Sequence, residues 1–114
     1  MKKSEIESAK ERYKRNLIGQ WGPEDLTAPG QFSFIFHPNG KGEEVYQSTV
    51  FSEPEIEEFS WKENKEYSIL IKYGKNDVWT SLDYKIEIFD EPYHRGIYVS
   101  FKYGIIDLSL HLVE

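Results

Sequence analysis

The sequence predicts a mainly β domain: an antiparallel up-and-down meander of about eight strands, closed as a barrel or folded as a sandwich, with one N-terminal α-helix. Three observations carry that prediction. From Gly19 to Leu112 apolar residues recur at every second position, the period of a strand with one buried face. Turn-forming clusters such as Asn39-Gly40 and Gly74-Lys75-Asn76-Asp77 punctuate those segments at short intervals. No second helical segment intervenes, so nothing is available to make the crossovers that parallel strands require.

The helix is expected over about residues 4–18. Ser4 followed by Glu7 reads as a capping box, in which each side chain bonds the other's free backbone N–H. Ile6, Ala9, Tyr13 and Leu17 make one apolar stripe at spacings of three and four. Cations at Lys10, Arg12, Lys14 and Arg15 favour the C-terminal half through the macrodipole. Glu5, Glu7 and Glu11 interrupt the basic face, which favours a lid packed on the domain over a membrane-surface helix.

A first strand is expected over Leu17 to Trp21. Phe32, Phe34 and Phe36 alternate in the second, and the hairpin signal at Asn39-Gly40 returns the chain into a third, Glu43 to about Ser52. Pro54 and a run of acids precede Phe59 and Trp61, and 62–66 reads as a turn. Tyr67, Ile69, Ile71 and Tyr73 share the next face, followed by Leu82, Tyr84, Ile86 and Ile88 on a strand from Val78 to Phe89. Residues 90–96 read as a loop. Ile97, Val99, Phe101 and Tyr103 follow, Gly104 breaks the strand, and Ile106, Leu108, Leu110 and Leu112 line the last one.

The 114 residues suit a single domain, 1–114. The absence of cysteine excludes disulfides and thiolate metal sites. Fourteen basic against twenty acidic side chains give a net charge of −6, which disfavours nucleic acid and anionic membrane as partners. No apolar h-region follows Lys2-Lys3, and no apolar run approaches the roughly 18 residues of a membrane span. A cytoplasmic location is expected.

The order helix, Gly19-Gln20-Trp21, meander resembles the small bacterial lipocalin-like domains of the calycin group. In that family a Gly-x-Trp opens the first strand after a short helix, and the indole plugs the closed end of the barrel. The resemblance implies that role for Trp21, and Phe32 to Phe36 with the Asn39-Gly40 turn is similar to the family's second strand and hairpin. Ser81-Leu82-Asp83-Tyr84 echoes its Thr-Asp-Tyr motif only loosely, within a strand rather than at a turn, and Arg95 could take the place of the arginine the family stacks on its tryptophan only by folding back.

Residues that bear chemistry assemble into no catalytic group. His37, His94 and His111 lie far apart without metal-ligand spacing, so no metal and no cofactor are expected. Asp107, Ser109 and His111 share a strand face, but alternate residues sit roughly 6 to 7 Å apart, too far for a hydrogen-bonded triad. Gly40-Lys41-Gly42 lacks the phosphate-loop pattern. The acids Glu53, Glu55, Glu57 and Glu58 read either as charges guarding a strand or as a surface that docks a basic partner. Phe34, Phe36, Trp61, Tyr67, Tyr84 and Phe101 are the candidates for inward positions. An eight-strand barrel either fills itself with such rings or holds one small ligand, and both remain open.

These readings converge on a non-enzymatic binding protein with a small apolar or aromatic ligand at the open end of a lipocalin-like barrel. The alternative is an immunity-type protein that neutralises a basic toxin through its acidic surface. A barrel-mouth enzyme ranks third.

Overall fold

In the computed structural model, which describes residues 3–23, 30–49, 51–74, 77–103 and 106–113, a short helix α1 (Lys3–Arg12) precedes eight strands. They are β1 (Gly19–Gly22), β2 (Gln31–Phe36), β3 (Lys41–Gln47), β4 (Glu55–Glu63), β5 (Ser68–Tyr73), β6 (Thr80–Glu91), β7 (His94–Tyr103) and β8 (Ile106–Leu112). Each strand pairs antiparallel with the next, and β1 pairs with β8 through Trp21↔Leu112 and Gly22↔His111. The meander is therefore a closed barrel rather than a sandwich, and closure removes the sheet edges that invite aggregation. Up-and-down order sorts the ends: the β2–β3, β4–β5 and β6–β7 turns lie at the end where α1 enters, and β1, β3, β5 and β7 finish at the opposite one.

The helix stops at Arg12, six residues short of expectation, although Tyr13 and Leu17 remain buried. Tertiary donors explain the stop. The Tyr13 carbonyl accepts the Tyr84 hydroxyl at 2.6 Å, and the Lys14 carbonyl accepts the Tyr67 N–H, so neither serves a following helical turn. Asn16 Oδ1 then accepts the Ile18 N–H at 3.3 Å, which starts β1 at Gly19 rather than Leu17. Tyr67, held between Lys14 and the Tyr84 N–H, sits at φ 54°, a left-handed conformation that few non-glycine residues adopt.

Three strand boundaries also differ from expectation. β3 ends at Gln47, whose side chain donates to the Ser52 carbonyl at 2.9 Å. β4 runs from Glu55 through Glu63, its last residues pairing with Leu70 and Ile69 where a turn was expected. In place of a loop over 90–96, β6 and β7 continue to Glu91↔His94, with only Pro92 and Tyr93 between them. The Ser4 side chain, the Gly104 break, part of the 74–77 turn and the facing of Tyr103, Ile106 and Asp107 lie outside the described residues and side chains.

Alternation places the core as expected. Phe34, Phe36, Phe59, Trp61, Ile69, Ile71, Tyr84, Val99, Phe101 and Leu110 are buried together. Phe34 meets Phe101 edge-on at 5.3 Å, and Phe36 meets Phe59 at 5.3 Å and Trp61 at 5.9 Å, so rings fill the middle of the barrel. β3 makes room for them. A Cβ on Gly42 would lie 2.3 Å from the Phe59 ring and 2.6 Å from the Ile35 carbonyl, so only glycine admits that ring. Gly40, at φ 81°, supplies the left-handed residue of the β2–β3 hairpin, where the Asn39 side chain accepts the Lys41 N–H at 3.0 Å.

Candidate binding site at the open end

The two barrel ends are built differently. At the α1 end Trp21 is fully buried, stands edge-on to Tyr13 at 5.3 Å and donates its indole N–H to the Leu17 carbonyl at 2.8 Å. The Trp61 indole N–H reaches the His37 and Lys41 carbonyls at 3.0 Å each. Burial first, then Tyr67 and Glu63, pushes the Tyr84 hydroxyl well above its ordinary pKa and keeps it a donor. The cation nearest this stack is Arg12, 5.4 Å over the Tyr13 ring. Arg95 sits on the β6–β7 hairpin, 3.8 Å from Asp90, and is not folded back on Trp21.

The opposite end holds a cavity of about 220 Å³ lined by Phe34, Ile71, Tyr73, Thr80, Ser81, Leu82, Phe101 and Lys102. Tyr73 ends β5 and Thr80 begins β6, which places the cavity beside the β5–β6 connection. An apolar cavity of about 150 Å³ suffices for benzene, so this volume admits a ring with a short arm. Among the described residues the interior is thus filled over most of its length, with a cavity toward the end opposite α1.

A buried carboxylate stands behind Tyr73, outside the cavity's lining. Glu44 lies across from Phe34 in the β2–β3 ladder, is only 6% exposed, and accepts the Tyr73 hydroxyl at 3.0 Å through Oε1. Across β4 its direct partner is Glu57, and the neighbouring outward pair is Glu43↔Glu58. Like charges directly opposite each other in a sheet are destabilising. Phe32 and Tyr46, half-buried and 4.7 Å apart, line the same side of the ladder nearer the rim.

Of the six inward aromatics expected to touch a ligand, only Phe34 and Phe101 line the cavity. Phe36 and Trp61 pack below them, while Tyr67 and Tyr84, 6.0 Å apart, pack under α1. Sequence reading missed Ile71, Tyr73, Thr80 and Leu82 as lining and Glu44 as buried. A signal for Glu44 was present: counting outward from the Asn39-Gly40 turn pairs residue 36 with 42 and 34 with 44.

The acids Glu53, Glu55, Glu57 and Glu58 are all exposed, and the last three lie along β4 opposite β3. Phe51, 96% exposed, and Ile56, 59% exposed, stand among them. His37 Nε2 lies 3.4 Å from Glu43. His94 and His111 flank Tyr98 on the outer face. His94 shares a 2.7 Å hydrogen bond with its hydroxyl and stacks on Phe89 at 4.4 Å, while His111 Nδ1 lies 3.1 Å from the Gly22 carbonyl. Ser109 is exposed, and the Asp107 side chain lies outside the described ones. Among the described residues, no three His, Asp or Glu converge to hold a metal, and no helix is long and apolar enough to cross a membrane. A larger groove of about 460 Å³ runs along β6 and β7, lined by Tyr84, Phe101 and Ser100 and by the exposed Asp83, Lys85, Glu87 and Lys102, whose charges solvent screens.

In comparisons with known proteins, no family model matches the chain, and no curated protein and no solved structure matches it either. The geometry of the mouth therefore carries the functional reading.

Proposed function

We propose that the protein is a non-enzymatic, lipocalin-like binding protein that holds a small apolar or aromatic ligand at the open end of its barrel. The observation that supports this reading is the cavity of about 220 Å³ at the mouth of an otherwise filled interior. Binding pockets usually run from about 300 Å³ upward, so the ligand is small: one ring or a short chain. The plugged α1 end makes the mouth the way in. Calorimetric titration with 2-phenylethanol tests the reading, with Leu82→Phe placing a ring where the ligand would sit. Saturable binding to the unaltered chain, weakened at least about tenfold in the variant, is the expected result. No binding to the unaltered chain would overturn the reading.

A second reading draws on a different observation: Phe51 and Ile56 stand exposed amid Glu43, Glu53, Glu55, Glu57 and Glu58. Apolar anchors within charged surroundings fit an immunity-type surface that covers a basic toxin. Triple substitution of Glu55, Glu57 and Glu58 by Lys should then abolish a salt-dependent complex with the product of a neighbouring toxin gene. A neighbourhood without such a gene would count against it.

A further inference from the structure

We propose that the protein forms a two-fold dimer in which the free edge of β6, residues 85–91, pairs antiparallel with the same edge of a second copy. The axis passes through Ile88, which faces Ile88 of the second copy. This edge exists because β6 outruns β5. The β5–β6 ladder ends at Ser68↔Asp83, whereas β6 stays paired with β7, in one unbroken register, as far as Glu91↔His94. Backbone groups alternate in direction along a strand, and the last bond on the β5 side is the Tyr84 N–H to the Tyr67 carbonyl at 3.0 Å. The N–H and C=O of Ile86 and Ile88 therefore point to that same side, where among the described residues they meet no strand or turn partner. Ile86 and Ile97 pack their side chains against the core, so the inner face of the hairpin is taken and its edge is what remains.

An unpaired edge is a template for another strand, and charge decides which strand and which register fit. Lys85, Glu87 and Glu91 stand exposed along this segment. A two-fold centred on Glu87 sets that residue against itself, and one centred on Phe89 sets Glu87 against Glu91 of the second copy. Like charges directly opposite each other are destabilising. Centring on Ile86 claims the Tyr84 N–H, which the Tyr67 carbonyl already holds. Centring on Ile88 avoids all three conflicts. It sets Lys85 against Glu91 of the second copy, twice by symmetry, at non-hydrogen-bonded positions where side chains approach most closely. Ile88, with its backbone groups aimed outward, makes the hydrogen-bonded pair on the axis. The same charges that turn other registers away are self-complementary in this one, and a two-fold interface closes after two copies.

Sedimentation velocity on the full chain tests the pairing, carried to millimolar concentration because an interface built on one strand edge is small and weak. The unaltered chain is expected to dimerise as concentration rises. Lys85→Glu and Glu91→Lys should each weaken the dimer at least about tenfold. An equimolar mixture of the two variants should restore it, because both cross-axis pairs are then again of opposite charge. Glu91→Lys lowers the net negative charge of the chain, so weakening by that variant cannot come from general repulsion. A readout in the unaltered protein backs the variants, should either fold poorly. Exchange of the Ile86 and Ile88 amide protons should slow with concentration, with the β7-facing amides of Glu87 and Phe89 as the internal reference. A monomer at every concentration, a dimer indifferent to both charge changes, or a mixture no tighter than either variant alone overturns the proposal.

Discussion

The α1 end and the open end of this barrel use the same kinds of residue to opposite effect. At the α1 end, Trp21, Trp61 and Tyr84 each send their polar hydrogen to a backbone carbonyl, and their rings meet Tyr13, Phe36 and Tyr67 respectively. Backbone acceptors are held by the ladder and the helix end, so such contacts lock one arrangement. At the open end, Tyr73 sends its proton to another side chain, Glu44, beside a cavity, and Glu faces Glu in two successive registers. Side-chain partners can re-aim when something enters. Stability is concentrated at the first end, and the second tolerates electrostatic cost, as sites that serve binding often do.

Substitutions at the two ends should therefore separate stability from binding. Trp21→Ala should be the most damaging, costing about 3–5 kcal/mol in denaturant unfolding, because it opens a large cavity under α1. A loss below about 1.5 kcal/mol would show that the indole is no plug. Gly42→Ala drives a methyl into the Phe59 ring and the Ile35 carbonyl, and about 1–3 kcal/mol of overpacking should lower the thermal midpoint.

Tyr84→Phe leaves the buried Tyr13 carbonyl without its donor and should cost about 1–3 kcal/mol. It should also change the alkaline limb of stability. Because the folded state holds the Tyr84 proton above the ordinary pKa of 10.0, its contribution is complete below that pH. Above it the unfolded chain releases the proton first, and stability falls by up to about 1.4 kcal/mol per pH unit. Unfolding followed from pH 8 to 11 should show a shallower decline in Tyr84→Phe than in the unaltered chain, and parallel declines would contradict the assignment. Glu44→Gln should be the mildest, within about 1 kcal/mol in unfolding, since it keeps an acceptor for Tyr73 and relieves repulsion from Glu57.

Much of the barrel was legible because its physics is periodic. A face buried at every second residue announces itself in Phe32-Ser33-Phe34-Ile35-Phe36 or in Leu108-Ser109-Leu110, whatever the partner strand. The end of α1 was not legible, because the donors that take the Tyr13 and Lys14 carbonyls come from residues 84 and 67. Acids hid β4: Glu55 to Glu58 carry little strand propensity and pair only because β3 offers a ladder. The site was legible in part. Phe34 and Phe101 follow from alternation, but the Glu44–Tyr73 bond joins positions 29 residues apart, and three connected strands must be in register before it exists.

The contrast between the ends can be measured directly by methyl NMR during titration with 2-phenylethanol. The open-end account predicts saturable shifts at the Ile71 and Leu82 methyls, which line the cavity, with Leu17 and Ile18 at the α1 end unmoved. Shifts centred on Leu17 and Ile18, or none at Ile71 and Leu82, would contradict it.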